Sequence, residues 1–347
     1  MTSHPQWESR RASAARPPRT YRRWLGAVAG LTLIAVTAAC SSTGGRPEAT
    51  GGGIGAGQAD TDPITIAMIT HAPPGDTFWD MIRAGAETAA AKNNATLRYS
   101  SDPQAPNQAN FVQGALDAGV DGIALTLAFP DALSGAVQQA ANAGVPVVAF
   151  NAGLDDWERL GVEQYFGQDE NVAGAAVGER LNEEGSQNAI CVIQEQGNVA
   201  LESRCAGVAS TFNGNSEVLN VEGRNMPGVR AAIDAKLRQD PNIDTVITLG
   251  APFALTAVDA ITDSNSEARV VTFDTNAALM DAIEAGDVEW AIDQQPFLQG
   301  YLAVDSLWLN IYNDTVIGGG QSVLTGPTFI DESNIESIAD LARSGLR

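Results

Sequence analysis

Asn151 follows an apolar run ending at Phe150, Asp274 follows one ending at Phe273, and Gln294 comes just after the run from Trp290 to Ile292. Carboxylate and amide groups can each form two hydrogen bonds with neighbouring hydroxyls, so polar residues gathered at such places suit a polyol. Asp76 and Arg204 occupy comparable positions near expected helix starts, and Phe78-Trp79 opens a helix with two adjacent aromatics. Adjacent aromatics cannot both face one core, so one of the two is expected to face a cleft, where it would stack on the C–H face of a sugar ring. Each residue also has a local explanation: Asn and Asp cap turns, and an aromatic at a helix start staples its own helix. Singly, these explanations suffice; as a cluster, the residues point to polyol binding.

Catalytic chemistry finds less support. His71 lies in the Pro-rich stretch Thr70-His71-Ala72-Pro73-Pro74, and no GxSxG elbow supplies a nucleophile for it. No P-loop lysine pattern is present, and nothing local marks Asp76 and Asp274 as the paired carboxylates of a glycosidase. No enzyme activity is expected. Metal binding is disfavoured because His71 is the only histidine beyond the N-terminal leader and neither Cys191 nor Cys205 has ligand spacing around it. No cofactor is implied.

These residues need a frame to position them. Short apolar runs alternate with amphipathic segments: strands are expected at Ile64 to Ile69, Thr96 to Tyr99, Gly122 to Leu125 and Val145 to Phe150. Helices are expected between them at Phe78 to Asn93, Asn107 to Ala118 and Pro130 to Ala143. A second series places strands at Ala189 to Ile193, Val218 to Val221, Thr245 to Leu249, Val270 to Phe273 and Trp290 to Ile292. Its helices are Asn171 to Glu184, Val199 to Asn213, Pro227 to Asp240, Phe253 to Asp263 and Ala277 to Ala285. Such βαβ alternation with nearly continuous apolar strands predicts parallel sheets covered on both faces. The fold class is α/β, with two doubly wound parallel-sheet lobes joined by a multi-segment hinge. Ligands of open parallel sheets bind off the strand carboxyl ends, where the polar cluster lies.

Beyond Trp290 the rhythm breaks into a helix from Pro296 to Asn313, short strands at Val323 to Leu324 and Thr328 to Ile330, and a last helix from Asn334 to Ser344. A return to the first lobe and a crossing back would account for this. The expected domains are 63–167 plus 296–321 for the N-terminal lobe and 168–295 plus 322–347 for the C-terminal lobe. Crossings are expected near Gly167-Gln168, Gln294-Gln295 and Gln321-Ser322.

Ahead of this frame, residues 1–23 carry six arginines against one acid, Glu8, and an uncharged stretch runs from Trp24 to Ala39. That is the order of a secretory signal, and the stretch is shorter than the about 20 apolar residues of a membrane span. It ends at Val36-Thr37-Ala38-Ala39-Cys40, which resembles a bacterial lipobox. Residues 1–39 are therefore expected to be a lipoprotein signal peptide, with Cys40 taking up a diacylglycerol through its thiol. An ordinary signal peptide and a twin-arginine signal at Arg22-Arg23 are the alternatives. Residues 40–62, rich in Gly, Ser, Thr, Ala and Pro, read as a flexible tether. The glycines of Gly51 to Gly57 precede the first strand, the wrong order for a dinucleotide site.

Six of 20 basic residues and one of 42 acidic ones precede Cys40, which leaves 14 against 41 and a net charge of −27. Nucleic acid is excluded as a partner, since a polyanion would be repelled. A mature chain of roughly 300 residues normally splits its core into two domains. Outside the cytoplasm a disulfide can persist, and Cys191 and Cys205 fall at similar depth along a strand and the following helix; both the bonded and the free state remain open.

The chain resembles the type I periplasmic sugar-binding proteins of ABC transporters, close to the ribose-binding branch, over roughly Pro63 to Ile330. The likeness is carried by Asp76-Thr77-Phe78-Trp79 with Arg83 to Glu87, Gly119-Val120-Asp121-Gly122-Ile123, and Val145-Pro146-Val147-Val148. Gly197 with Arg204 and Gly207, Val271-Thr272-Phe273-Asp274 and Gln294-Gln295-Pro296 complete it. The resemblance implies a sugar sandwiched by aromatics and clamped by polar groups of two closing lobes. It implies that Asp76 replaces a family Asn, Phe78 and Trp79 replace two phenylalanines, Asn151 replaces an Asp, and Asp274 and Gln294 are unchanged. Arg204 matches the second family arginine, while Glu202 stands for the first. Ala251-Pro252 replaces a ligand Asn, the aromatic expected near Asn225 is missing, and Asn225 itself is counted with Glu202 among the implied ligand contacts. The ligand implied is a monosaccharide other than ribose, a cyclitol such as an inositol, or another small polyol. The implied partners are ABC permease and ATPase subunits, with the membrane engaged only through the lipid anchor at its outer face, and the protein a monomer. A lipid-anchored sensor presenting a sugar or small signalling molecule to a membrane receptor is the alternative.

Overall fold

A computed structural model describes residues 57–347. The expected export signal, the Cys40 lipidation site and the tether up to residue 56 lie outside the described residues. The first series comprises β1 (Ile64–Thr70), α1 (Phe78–Lys92), β2 (Ala95–Ser101), α2 (Ala105–Asp117), β3 (Gly122–Leu125), α3 (Pro130–Asn142), β4 (Val147–Phe150), α4 (Trp157–Leu160) and β5 (Gln164–Gly167). The second comprises α5 (Glu170–Glu183), β6 (Asn188–Ile193), α6 (Val199–Thr211), β7 (Asn215–Asn220), α7 (Met226–Gln239), β8 (Thr245–Thr248), α8 (Ala251–Ser264), β9 (Arg269–Phe273), α9 (Ala277–Ala285) and β10 (Trp290–Asp293). Then follow α10 (Pro296–Asn313), a 3-10 turn (Ile317–Gly320), β11 (Val323–Leu324), β12 (Thr328–Asp331) and α11 (Ile335–Arg343).

The strands form two six-stranded sheets, β2-β1-β3-β4-β5-β11 and β7-β6-β8-β9-β10-β12. Every neighbouring pair is parallel except β10 with β12. Both sheets reverse their strand order beside the first strand of their series, and in open α/β sheets that reversal opens a crevice at the carboxyl ends. Side chains of β1 alternate between two cores, as the two-residue strand period requires. Ile66 and Met68 pack with Ile82 and Leu307 on one face, while Ala67 and Ile69 pack with Val112, Leu133 and Val137 on the other.

The segment Gln164-Tyr165-Phe166-Gly167 has too few apolar residues to read as a strand, and the sequence rhythm passes over it. Tertiary pairing makes it one: β5 lies between β4 and β11, and the buried Gln164 amide donates to the Gln321 carbonyl at 2.5 Å. The short α4 is likewise absent from the expected series. At the N-terminal side the expected tether is too long, because its last residues are docked on the first lobe. The Ala59 N–H donates to the Lys92 carbonyl at 2.7 Å, Asn94 Nδ2 donates to the Thr61 carbonyl at 2.7 Å, and the Tyr312 hydroxyl donates to the Asp62 carbonyl.

Three segments cross between the sheets. The first leaves β5 at Gly167-Gln168 and the second leaves β10 at Gln294-Gln295. The third was expected at Gln321-Ser322, but β11 pairs with β5, so the chain crosses only after Leu324, through the cis Gly326-Pro327 bond to β12. Two helix pairs pack at backbone contact. A Cβ on Gly85 of α1 would lie 1.9 Å from the Phe297 carbonyl oxygen of α10, and one on Gly207 of α6 would lie 2.3 Å from the Asn171 carbonyl oxygen of α5. Cys191 of β6 and Cys205 of α6 are joined in a disulfide, with Cα atoms 5.9 Å apart.

Gly207→Ala should cost roughly 1–3 kcal/mol, the usual penalty of forcing extra volume into packed structure, visible as a lower melting temperature. Replacing both Cys191 and Cys205 by Ala should cost about 3 kcal/mol, the value for closing a loop of this size. A melting temperature that does not change on treating the wild type with reductant would contradict this second expectation.

Candidate functional site

Asn151 and Asp274 end central strands of the two sheets, and both adopt left-handed backbone, with φ of 67° and 65°. Asn and Asp tolerate this conformation better than other non-glycine residues. Each is fixed by an equivalent bond: the Asn151 N–H donates to Phe166 and the Asp274 N–H to Ile292, both at 2.8 Å. The two lobes thus present one polar side chain each from the same place in the fold.

Arg204, buried in α6, organises the second lobe's share. Its guanidinium grips Glu170 with two bonds, Nε to Oε2 at 2.6 Å and Nη2 to Oε1 at 3.0 Å. Nη1 donates to Asp274 Oδ2 at 3.3 Å and to the Leu249 carbonyl at 3.2 Å, and the group lies over the Phe273 ring at 4.8 Å. Burial works against its charge, yet the carboxylates of Asp274 and Glu170 outweigh that and hold its pKa above the ordinary arginine value. Glu170 was not anticipated from sequence. A lone arginine at a helix start that must be buried requires a counter-ion, and an acid in the first turn of the preceding helix was the available signal.

Between the lobes lies a cavity of about 480 Å³, within the range of small-molecule sites. The first lobe contributes Asp76, Phe78, Trp79, Phe129 and Asn151, and the second contributes Glu195, Arg204, Phe253 and Asp274. Contrary to the expectation that adjacent aromatics divide between core and cleft, Phe78 and Trp79 are both buried in the first lobe's core and both line the cavity, edge to face at 5.3 Å. They do both because the core of this lobe reaches up to the cleft. Phe253, at the start of α8, places an aromatic of the second lobe in the lining. Around the cavity the lobes touch directly. The Val199 N–H, at the start of α6, donates to the Ala128 carbonyl of the first lobe at 3.1 Å, so the other lobe satisfies a helix-start donor.

Three expected site residues lie away from the cavity lining. Gln294 is fully buried in the second crossing, where its amide donates to Asp274 Oδ1 and its carbonyl oxygen accepts from Gln299 at 2.8 Å and Asn151 at 3.3 Å. Asn225 caps α7, accepting from the Gly228 N–H at 3.1 Å. Glu202 is exposed and accepts from the Gly197 N–H at 3.0 Å, tying down the loop that carries Glu195. In the last two, local capping has claimed the side chain.

Among the described residues, two acids in the cavity have no lysine or arginine within ion-pair reach. Asp76 accepts from the Phe78 N–H at 3.1 Å, and burial, with Asp274 and Asp80 nearby, raises its pKa to about 6. Glu195 accepts from Asn198 Nδ2 at 2.6 Å, and burial, with Asp76 facing it, raises its pKa to about 7. His71, which also lines the cavity, is held neutral, its pKa pushed down to about 3 by burial and then by the Arg204 charge. The arrangement offers hydrogen-bonding groups and aromatic side chains in one lining.

Residues 66–313 match the model of the periplasmic binding protein domain. A carbohydrate transporter of Acidothermus cellulolyticus 11B, solved in complex with myo-inositol, is 55% identical to this chain, with 82% of this chain and all of that one covered and a TM-score of 0.81. The xylose/arabinose-binding protein XylF of Sulfolobus acidocaldarius is 29% identical over 245 residues, which cover 65% of this chain and 60% of that protein. The chain therefore spans three fifths of that relative's length. A solute-binding protein of an ABC transporter from Burkholderia graminis C4D1M, solved with D-arabinose, shares the fold at 22% identity and a TM-score of 0.72, with 79% of this chain and 97% of that one covered. With the family model matched over more than two thirds of its length, this two-lobed chain belongs to the periplasmic binding protein domain family.

Proposed function

We propose that the protein is an extracytoplasmic solute-binding protein that captures a small polyol between its lobes and delivers it to the permease and ATPase of an ABC importer. A cyclitol of the inositol type is the preferred ligand, with monosaccharides next. The observation that carries this is the cavity between the lobes, whose lining pairs aromatic faces with carboxylate and amide groups drawn from both sheets. The bound myo-inositol of the Acidothermus relative supports the choice of ligand. Export and lipid attachment at Cys40 to the outer face of the cytoplasmic membrane, and action as a monomer, belong to the same proposal.

Asp76, Phe78, Trp79, Asn151, Arg204 and Asp274 are the proposed ligand contacts. Closure is a population shift: a ligand that touches both lobes only in the closed form stabilises that form by its differential affinity. The moving bodies are residues 63–167 with the segment from Pro296 to about Thr325, and 168–295 with the segment from about Pro327 onward.

A thermal-shift screen of residues 57–347 against inositols, pentoses, hexoses and sugar alcohols tests the reading, because a ligand that binds only the native state raises the melting temperature. A shift with one or two stereoisomers is expected; a flat response across the panel contradicts it. Asp274→Ala and Trp79→Ala should each weaken binding by more than roughly tenfold, about 1.4 kcal/mol, while the fold survives. Glu170→Gln should lower folding stability by about 3 kcal/mol, since it leaves the buried guanidinium short of a counter-charge. The pH response follows from the raised pKa values. Asp76 and Glu195 bind protons more tightly when folded, so their contribution to stability is full below about pH 4 and is lost as pH rises through about 6 and 7. Asp76→Asn and Glu195→Gln should therefore each stabilise the unliganded protein at pH 8, by about 1–3 kcal/mol, and have no such effect at pH 4. Equal effects at both pH values would contradict the assignment.

A further inference from the structure

One polar pair spans the cavity outside the contacts assigned above. His71 leaves β1 of the first lobe, Glu195 follows β6 of the second, and His71 Nε2 stands 3.9 Å from Glu195 Oε2. That is too long for a direct hydrogen bond, and a neutral imidazole forms no ion pair. It is short enough for one oxygen atom to reach both, since a hydrogen bond to each spans only about 2.7–3.0 Å.

Both side chains are braced from behind. The Thr126 hydroxyl accepts from the His71 N–H at 3.1 Å and lies 2.8 Å from the ring Nδ1. The hydroxyl proton is free to be given to Nδ1, and in that tautomer the ring proton sits on Nε2 at the cavity side. The ring is also stacked edge-on against Trp79 at 4.6 Å. On the other lobe Asn198 Nδ2 holds Glu195 Oε2 at 2.6 Å, while Asn198 Oδ1 accepts from the Ala200 N–H at 3.0 Å and so anchors the brace to α6.

We propose that His71 and Glu195 together read a single hydroxyl of the bound polyol, the imidazole Nε2–H donating to its oxygen and the carboxylate accepting its proton. This rests on the polyol reading above and adds to it a specificity determinant. The hydroxyl satisfies both partners only when the lobes are closed, so the pair contributes to selecting closure as well as stereochemistry. An analogue lacking that hydroxyl leaves two buried polar groups unpaired and is rejected more strongly than its lost contact area would imply.

Titration calorimetry of residues 57–347 with myo-inositol and each of its monodeoxy analogues tests the pair. Wild type should lose about a hundredfold or more in affinity for the analogue lacking the clamped hydroxyl. His71→Phe and Glu195→Gln should each weaken myo-inositol binding by roughly tenfold or more. The double variant should be little weaker than the worse single one, and all three should bind that one analogue nearly as well as myo-inositol. Thr126→Val keeps the imidazole but removes the hydroxyl that partners Nδ1, so its loss should fall on the same hydroxyl position, and it serves if His71→Phe fails to fold. Single effects that multiply in the double variant overturn the clamp, as does unchanged discrimination among the analogues or a Thr126→Val loss spread evenly over all positions. Wild type that does not bind myo-inositol overturns the cyclitol reading and the clamp with it. Binding that the variants leave intact overturns the clamp alone.

Discussion

A guanidinium cannot sit in a protein interior unless its charge and donors are met, because removing an unpaired ion from water is far costlier than burying apolar surface is favourable. Arg204 is in that position, and much of the second lobe is arranged to meet it. Glu170 must come within bonding distance, which requires α5 and α6 to approach until only glycine fits at 174 and 207. Asp274 must turn back toward the same point, which the left-handed turn at the end of β9 achieves. The neighbouring residue, Cys205, is bonded to β6, so the helix that carries the guanidinium is fastened to the sheet beside it.

The same charge network continues out of the lobe. Asp274 accepts from Gln294 in the second crossing, and Gln294 bonds Gln299 and Asn151 of the first lobe. Gln299 donates to Thr325 at the third crossing at 3.0 Å, and Gln295 donates to the Thr325 carbonyl at 2.7 Å. Gln168, in the first crossing, donates to Glu170 at 2.6 Å. All three connections between the lobes are thus hydrogen-bonded into the set of residues that faces the cavity. A ligand that engages Asn151 and Asp274 bears on side chains that also hold the crossings, which ties occupancy of the cleft to the angle between the lobes.

The α/β rhythm, the two series and the polar residues at strand ends were legible because each follows from local chemistry: apolar runs bury, and Asn or Asp accepts the turn that follows. Legibility failed where the decisive partner is distant in sequence. β5 is a strand because β4 and β11 flank it, and its buried Gln164 disguises it. The third crossing was placed too early because two residues, Val323 and Leu324, are enough to extend the first sheet yet carry no distinct pattern. Among the expected site residues, Asp76, Phe78, Trp79, Asn151, Arg204 and Asp274 line the cavity, while Gln294 is buried in the second crossing. Glu202 and Asn225 were assigned by position alone, and capping claimed both. Glu195 and Glu170 escaped notice, and His71 was weighed only for catalysis and metal binding, because what marks all three is burial opposite a partner on another element.

The proposed capture of a polyol requires two bodies that close on it. Small-angle X-ray scattering of residues 57–347 during titration with myo-inositol measures this directly. A radius of gyration that falls and saturates at one ligand per chain is expected. A radius of gyration that stays constant through saturating binding would contradict it.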